Sequence, residues 1–263
     1  MSRRLDLLLP AALGLFLVLP GLLTLLARPE PASGPTRAAV APSPISPAGL
    51  EAAFNDAWAP RQTLIAWNGA LRLGLLGESP LKNVVKGQGR WLYYAGEWNL
   101  EDYERVMPLS EADLGRLGET LEARRRWLAA RGVRFLVVVC PNKEAIYPEY
   151  LPTRFHPLGD RSRLDQVADW LGRETGVDCL DLRPALLAAK REGRVYHYTD
   201  THWNDLGAWV GAQAIAERLR AWFPAVRVRG LEEYAVEVRD EPGWDLAKQL
   251  LLAESVREDA VTL

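Results

Sequence analysis

Apolar and polar positions change pattern twice before the first regular element. Leu5 to Ala27 form one apolar run of 23 residues, with Arg3 and Arg4 before it and Arg28 after it. As a helix rising about 1.5 Å per residue it would reach roughly 35 Å, enough for a ~30 Å hydrocarbon core. Basic residues at its amino end place that end in the cytoplasm and the remainder outside. A cleaved signal peptide is the competing reading. The run exceeds the usual apolar length of about 7–15 residues, and no Ala-x-Ala site closes it, so an uncleaved signal-anchor (residues 1–27) is favoured. Residues 28–48 are rich in Pro and Ala with nothing large to bury, and read as a semi-extended linker.

Behind the linker, residues 49–263 alternate between two periods. Leu50–Leu76 reads as helical with a break at Pro60, and Gly87–Tyr94 reads as a turn feeding a short aromatic strand. Ser110 with Asp113 forms a capping-box pattern ahead of the stripe Leu114, Leu117, Leu121 and Leu128, and Gly132 stops that helix. Val133–Cys140 is a continuous apolar run, the kind buried on both faces of a parallel sheet. A helix over 160–175, a strand over Val177–Leu182, a helix after Pro184 and a helix over 205–222 follow. Strands alternating with helices predict an α/β domain of three layers with a mostly parallel sheet.

Composition narrows the class without naming it. The chain is 48% hydrophobic and 25% charged with a net charge of −2, which argues against a disordered chain or a multi-pass transporter. The near-neutral balance removes the basic face that nucleic-acid binding needs. Arg outnumbers Lys 27 to 5, a bias without a clustered patch. Cys140 and Cys179 both fall in apolar runs and read as buried, unpaired thiols. No CxxC or His-rich cluster asks for a structural metal, and nothing calls for a cofactor.

Ligands of such sheets bind at the carboxyl ends of the strands. Two loops fall there, Cys140–Pro152 and Tyr196–Asn204. In the second, Asp200 and His202 are two residues apart, and in an extended segment their side chains project to one side. A carboxylate beside an imidazole fixes its tautomer and stabilises the imidazolium, as a general base for a hydroxyl requires. Two other readings stand beside this one. His202 could serve only to cap the following helix, or His197, Asp200 and His202 could bind a metal. Lys143 is a candidate for a sugar carboxylate or for a structural acid, and Trp203 for a sugar face or for the core. His156 has no evident partner.

The neighbouring residues carry a likeness. ThrAspThrHisTrpAsnAspLeuGlyAla around His202 resembles the signature of the periplasmic alginate O-acetyltransferase family, the AlgX/AlgJ type with an SGNH-hydrolase-like domain. ValValLysGlyGlnGlyArgTrpLeuTyrTyr, ValCysProAsnLysGluAlaIleTyrProGluTyrLeuPro and TrpAspLeuAlaLysGlnLeuLeu are similar to further elements of that family, in its order, over about residues 51–252. Arg61 matches an arginine position of the family.

The resemblance implies a Ser-His-Asp acetyltransferase acting on an exopolysaccharide. Asp200 would orient His202, His202 would deprotonate a serine, and the serine would carry acetyl to a sugar hydroxyl. It also implies a membrane-bound O-acyltransferase as partner. The family's serine lies in a Gly-Asp-Ser element downstream of the Asp-x-His segment. No Gly-Asp-Ser occurs here, and Ser255 is the sole serine after His202. Ser255 sits in a polar segment that reads as a helix or loop, and Ser110 and Ser162 fit helix starts. The expectation is therefore an incomplete domain whose C-terminal strands are missing. It would be either a truncated acetyltransferase or a non-catalytic, polysaccharide-binding scaffold of an extracytoplasmic complex.

Overall fold

A computed structural model describes Ser46, Pro47 and residues 60–263. The apolar run at 5–27 and all of the linker except Ser46 and Pro47 lie outside the described residues. Among those described, no helix is long and apolar enough to cross a membrane. The chain divides into two units, Met1–Leu71 and Arg72–Leu263. In the first, helix α1 spans Pro60–Leu71. Proline suits the opening turn because the first helical N–H groups have no intrahelical acceptor.

The second unit begins with a π-helical turn, Arg72–Leu76, and a hairpin of β1 (Val84–Lys86) and β2 (Leu92–Tyr94). The hairpin turn follows the glycines. Gly89 has φ +59°, and a Cβ on Gly87 would lie 2.4 Å from the Tyr150 carbonyl oxygen. Helices α2 (Asn99–Glu104) and α3 (Glu111–Ala129) follow. The capping box at α3 is formed, with Ser110 accepting from the Asp113 amide. Gly132, at φ +73°, ends the helix as its position predicts. Then come β3 (Leu136–Val139), the short α4 (Lys143–Ile146), α5 (Arg163–Glu174, capped by Ser162), β4 (Asp178–Asp181) and α6 (Arg183–Ala189). Last are α7 (Asp205–Arg220), β5 (Glu237–Glu241), α8 (Asp245–Gln249) and β6 (Glu258–Thr262).

The strand pairing differs from the expected sheet. β3 and β4 pair in parallel, with Leu136 opposite Asp178 and Val139 opposite Asp181. The other two sheets, β1–β2 and β5–β6, are antiparallel and also two-stranded. Among the described residues there is thus no single mostly parallel sheet. With one neighbour each, β3 and β4 are only partly covered, so their apolar residues are half-buried where full burial was expected. The cysteines are free, as anticipated, but Cys140 stands just beyond β3 and is exposed, while Cys179 in β4 is half-buried. The polar segment around Ser255 leads into a strand: Glu258 and Ala260 point inward and Asp259 outward.

The core is built by aromatic residues from separate elements. Trp91 lies 4.7 Å from Tyr150 in a near-parallel stack and 4.8 Å from Tyr198 edge-on. The Tyr93 hydroxyl donates to the Tyr147 carbonyl at 2.6 Å, and the Tyr147 hydroxyl accepts from the Val195 amide at 3.0 Å. Buried phenols require such partners, and here the partners tie the hairpin, the loop after β3 and the segment before α7 into one cluster.

Candidate active site

The loop from Tyr196 to Trp203 is closed on itself. Tyr196 and Trp203 form an isolated antiparallel bridge, the Asn204 amide donates to the Val195 carbonyl at 3.1 Å, and the His197 amide donates to the His202 carbonyl at 3.2 Å. The N-cap of α7 is Asn204, whose side chain accepts from the Gly207 amide at 3.0 Å. Helix capping therefore does not fall to His202.

Asp200 and His202 meet as their spacing suggested, but through a turn and not an extended segment. Asp200 Oδ1 accepts the His202 amide at 2.9 Å and lies 2.6 Å from His202 Nδ1. This is an aspartate turning its own backbone two residues on. One oxygen thereby fixes both the backbone and the ring. Asp200 is buried, whereas the His202 side chain is 76% exposed, so the far edge of the imidazole faces solvent. Burial pushes the Asp200 carboxyl up, but hydrogen bonds from the His202 amide and ring and from the Asp245 amide hold it below its ordinary value.

Two side chains that the sequence did not single out, Asp245 and Glu258, support this loop, and a third, Glu144, lies buried at the cleft. Asp245, at the start of α8, accepts the Thr201 amide at 3.1 Å and the Thr201 hydroxyl at 3.0 Å. Burial and the neighbouring Asp200 charge raise the Asp245 carboxyl. Glu258 of β6 is fully buried and binds His197 Nδ1, the Thr199 amide (2.9 Å) and the Thr199 hydroxyl (2.9 Å). Burial raises its carboxyl, but these bonds and His197 pull it below the usual range. Glu144 of α4 is buried and receives no hydrogen bond from another side chain, and burial pushes its carboxyl up to about 7. Asp245 lies within the quoted TrpAspLeuAlaLysGlnLeuLeu motif, which was the only signal available for it. Glu144 likewise lies within the quoted ValCysProAsnLysGluAlaIleTyrProGluTyrLeuPro motif, whereas Glu258 looks like a surface acid in the sequence.

The remaining candidates take different places. Lys143 is 2% exposed, and its ammonium donates to the carbonyls of Asp200 (2.6 Å), His197 (3.2 Å) and Tyr198 (3.3 Å). It anchors the loop from below, and burial brings its pKa down to about 8. Trp203 is half-buried against α7, with its ring edge 3.4 Å from where a Cβ on Gly211 would sit. The trio His197, Asp200 and His202 is not assembled, because His197 turns away to Glu258. Asp200, His202 and Asp245 do bring one ligand atom each within 4.8 Å of one another. Imidazole with two carboxylates is a donor set that a divalent ion accepts. Here, however, Asp200 Oδ1 and both Asp245 oxygens are already held by N–H and O–H donors of the loop. The arrangement fits the hydrogen-bonded pair better.

His202 opens on a cleft of about 590 Å³ lined by Asn83, Tyr94, Asn142, Glu144, Asp245 and Gln249, among others. An exposed imidazole, oriented from behind by a buried carboxylate and set at the rim of a polar cleft, is equipped to take a proton from a hydroxyl. This defines an α/β domain carrying a hydrogen-bonded Asp–His pair at the rim of a cleft. The chain belongs to the family described as the SGNH hydrolase-like domain of the acetyltransferase AlgX, which matches residues 84–260. Proteins named "Probable alginate O-acetylase AlgJ" are similar to it. The one from Pseudomonas aeruginosa is 38% identical over 96 residues, which is 36% of this chain and 24% of that protein. The one from Pseudomonas syringae pv. tomato is 30% identical over 136 residues, 50% of this chain and 32% of that protein. The chain thus matches a third or less of the length of these relatives. The O-acetyltransferase domain of Pseudomonas putida AlgJ aligns with TM-score 0.48 at 24% identity, covering 68% of this chain and 63% of that one.

Proposed function

We propose that this chain carries the Asp–His half of an O-acetyltransferase that transfers acetyl to hydroxyls of an alginate-like exopolysaccharide. The observation that carries the reading is the 2.6 Å contact between buried Asp200 and solvent-facing His202 at the edge of the cleft. In the proposed mechanism Asp200 holds the Nδ1 proton, which leaves Nε2 free as the base. Nε2 takes the proton from a serine hydroxyl as its oxygen attacks the acetyl carbonyl, and the donor departs with that proton. In the second half, Nε2 takes the proton of a sugar hydroxyl as its oxygen attacks the acetyl carbonyl, and returns that proton to the departing serine oxygen, leaving the sugar as the acetyl ester and the serine and imidazole restored. Relatives named as alginate O-acetylases and the AlgX family match support the reaction class. We place the domain on the extracytoplasmic side, tethered by the apolar run at 5–27 and working beside a membrane-bound O-acyltransferase that supplies acetyl groups. A tether of this kind raises the effective concentration of donor and acceptor.

A second reading is a polysaccharide-binding scaffold without catalysis. It is favoured by one observation: among the described residues, no serine hydroxyl is a hydrogen-bond partner of His202. Acetyl content of the polysaccharide, measured in cells producing Asp200→Asn or His202→Ala protein, separates the two. The acetyltransferase reading expects a loss of at least about 10²-fold in either variant. Wild-type acetylation in both would leave the scaffold.

A further inference from the structure

Thr201 stands between Asp200 and His202 in the chain, and its hydroxyl stands between two carboxylates in space. Thr201 Oγ1 lies 3.0 Å from Asp245 Oδ2, 3.1 Å from His202 Nδ1 and 3.4 Å from Asp200 Oδ1. A hydroxyl has one proton to donate and two lone pairs with which to accept. Asp200 Oδ1 already receives the His202 amide and faces the His202 ring nitrogen. Asp245 Oδ2 is closer and is an ionised acceptor, so the hydroxyl proton goes to it. The lone pairs of Thr201 Oγ1 are then left facing His202 Nδ1, which lies 2.6 Å from Asp200 Oδ1. Both neighbours of Nδ1 thus accept, and the ring keeps its proton there.

Asp245 is fixed so that it holds the hydroxyl in one sense. Its Oδ1 accepts the Thr201 amide at 3.1 Å, which pins the carboxylate with Oδ2 toward the hydroxyl. Its own amide points at Asp200 Oδ2 at 3.5 Å, a donor set between two like charges. The start of α8 is tied to the same loop, since the Leu246 amide donates to the Thr199 carbonyl at 3.0 Å and the Trp244 amide to the Thr199 hydroxyl at 2.9 Å. One ligand atom each of Asp200, His202 and Asp245 falls within 4.8 Å of the others, so the second carboxylate is also near the charge that forms on the imidazole.

We infer that Thr201 and Asp245 are positioning residues for His202: Asp245 orients the Thr201 hydroxyl, and that hydroxyl is a second acceptor holding the ring proton on Nδ1 beside Asp200. The base is then a relay of Asp200, Thr201, His202 and Asp245, and its imidazolium faces one carboxylate directly and another through the hydroxyl. Use of this base in acetyl transfer rests on the proposed function, whereas the hold on the proton does not. The relay makes Asp245→Asn a reversal of the hydroxyl. The asparagine oxygen must face the Thr201 amide, so its NH2 faces Thr201 Oγ1, which then accepts. The hydroxyl proton turns toward Asp200 Oδ1 and His202 Nδ1, and in either place it competes with the bond between them.

The test is the tautomer of neutral His202 in the full chain, read from its ring ¹⁵N resonances and assigned by their loss in His202→Ala. Wild-type protein and Thr201→Ser are expected to carry the proton on Nδ1. Thr201→Val, which removes the second acceptor, should raise the form protonated on Nε2 about threefold, and Asp245→Asn about tenfold. Adding Thr201→Val to Asp245→Asn should bring that form back to about threefold. Rescue by a second loss is the decisive signature, because a merely structural Asp245 would gain nothing from it. An unchanged ring in Asp245→Asn, or a double variant no closer to wild type than Asp245→Asn, overturns the relay. Should Asp245→Asn fail to fold, Thr201→Val decides: a shift absent from Thr201→Ser supports the relay, and a ring identical to wild type overturns it. Acetyl content of the polysaccharide should fall in the same order across the variants. Full acetylation with His202→Ala would overturn the proposed function and leave the tautomer result standing.

Discussion

At the residue scale, the adjacent pair Lys143 and Glu144 shows how one turn of backbone assigns opposite tasks to neighbours. Both are buried, but Lys143 has three carbonyl acceptors and Glu144 has no donor from another residue. Burial lowers the ammonium to about 8 and raises the carboxyl to about 7. For Glu144 the consequence for stability has a definite sign. Its folded pKa lies above its ordinary value of 4.5, so the native state holds a proton that the unfolded chain has lost between about 4.5 and 7. The stability it contributes is complete below 4.5 and is lost as pH rises through 7. Glu144→Gln stays neutral throughout that window. Its unfolding free energy, from urea titration, should match wild type near pH 4.5 and exceed it at pH 8 by an amount on the order of 3 kcal/mol. A variant whose advantage is the same at both pH values would contradict this account of the carboxyl.

At the element scale, the entry to α7 positions the whole site. A Cβ on Gly207 would sit 2.2 Å from the Val195 carbonyl oxygen and 2.8 Å from Trp203 Cβ, so the helix can approach the loop closely only with glycine there. Gly207→Ala should push α7 away from Val195, strain the Asn204 cap and cost about 1–3 kcal/mol. A thermal midpoint lowered by about 2–10 °C in a scanning calorimeter is the expected result. An unchanged midpoint would mean that the helix entry yields without penalty. The same elements show what the sequence could reveal. Caps at Ser110 and Ser162, the stop at Gly132 and the glycine-aromatic hairpin are written in local chemistry, and each forms where the pattern places it. Asp200 and His202 are two residues apart, so their meeting was legible too. The sheet was not, because an apolar run such as Leu136–Val139 specifies a strand without saying how many neighbours cover it.

At the scale of the whole molecule, the site depends on contacts that no local pattern records. Glu258 reaches the loop across 61 residues of sequence to His197 and 59 to Thr199, and an inward-pointing glutamate in β6 is indistinguishable from a surface one until those partners are known. Arg194 binds the backbone of Asp259 as well as the Tyr196 carbonyl, and Arg90 pairs with Asp259 at 2.8 Å, so β6 is fastened to both the site loop and the hairpin. The carboxylate of Glu258 satisfies a ring nitrogen, an amide and a hydroxyl at once. Removing it as Glu258→Ala strands all three in a buried place and should cost about 3–5 kcal/mol. Because native contacts hold this carboxyl below its ordinary range, the stability it contributes is full above that range and disappears as pH falls through it. The penalty of Glu258→Ala should therefore shrink on acidification. Amide exchange gives the sharper readout, since the Thr199 N–H bonds directly to Glu258 whereas the Val137 N–H in β3 does not. In the variant at neutral pH, exchange at Thr199 should accelerate more than at Val137, because the loop opens before the domain does. Equal acceleration at both positions would show that β6 supports the fold as a whole and does not single out the loop that carries Asp200 and His202.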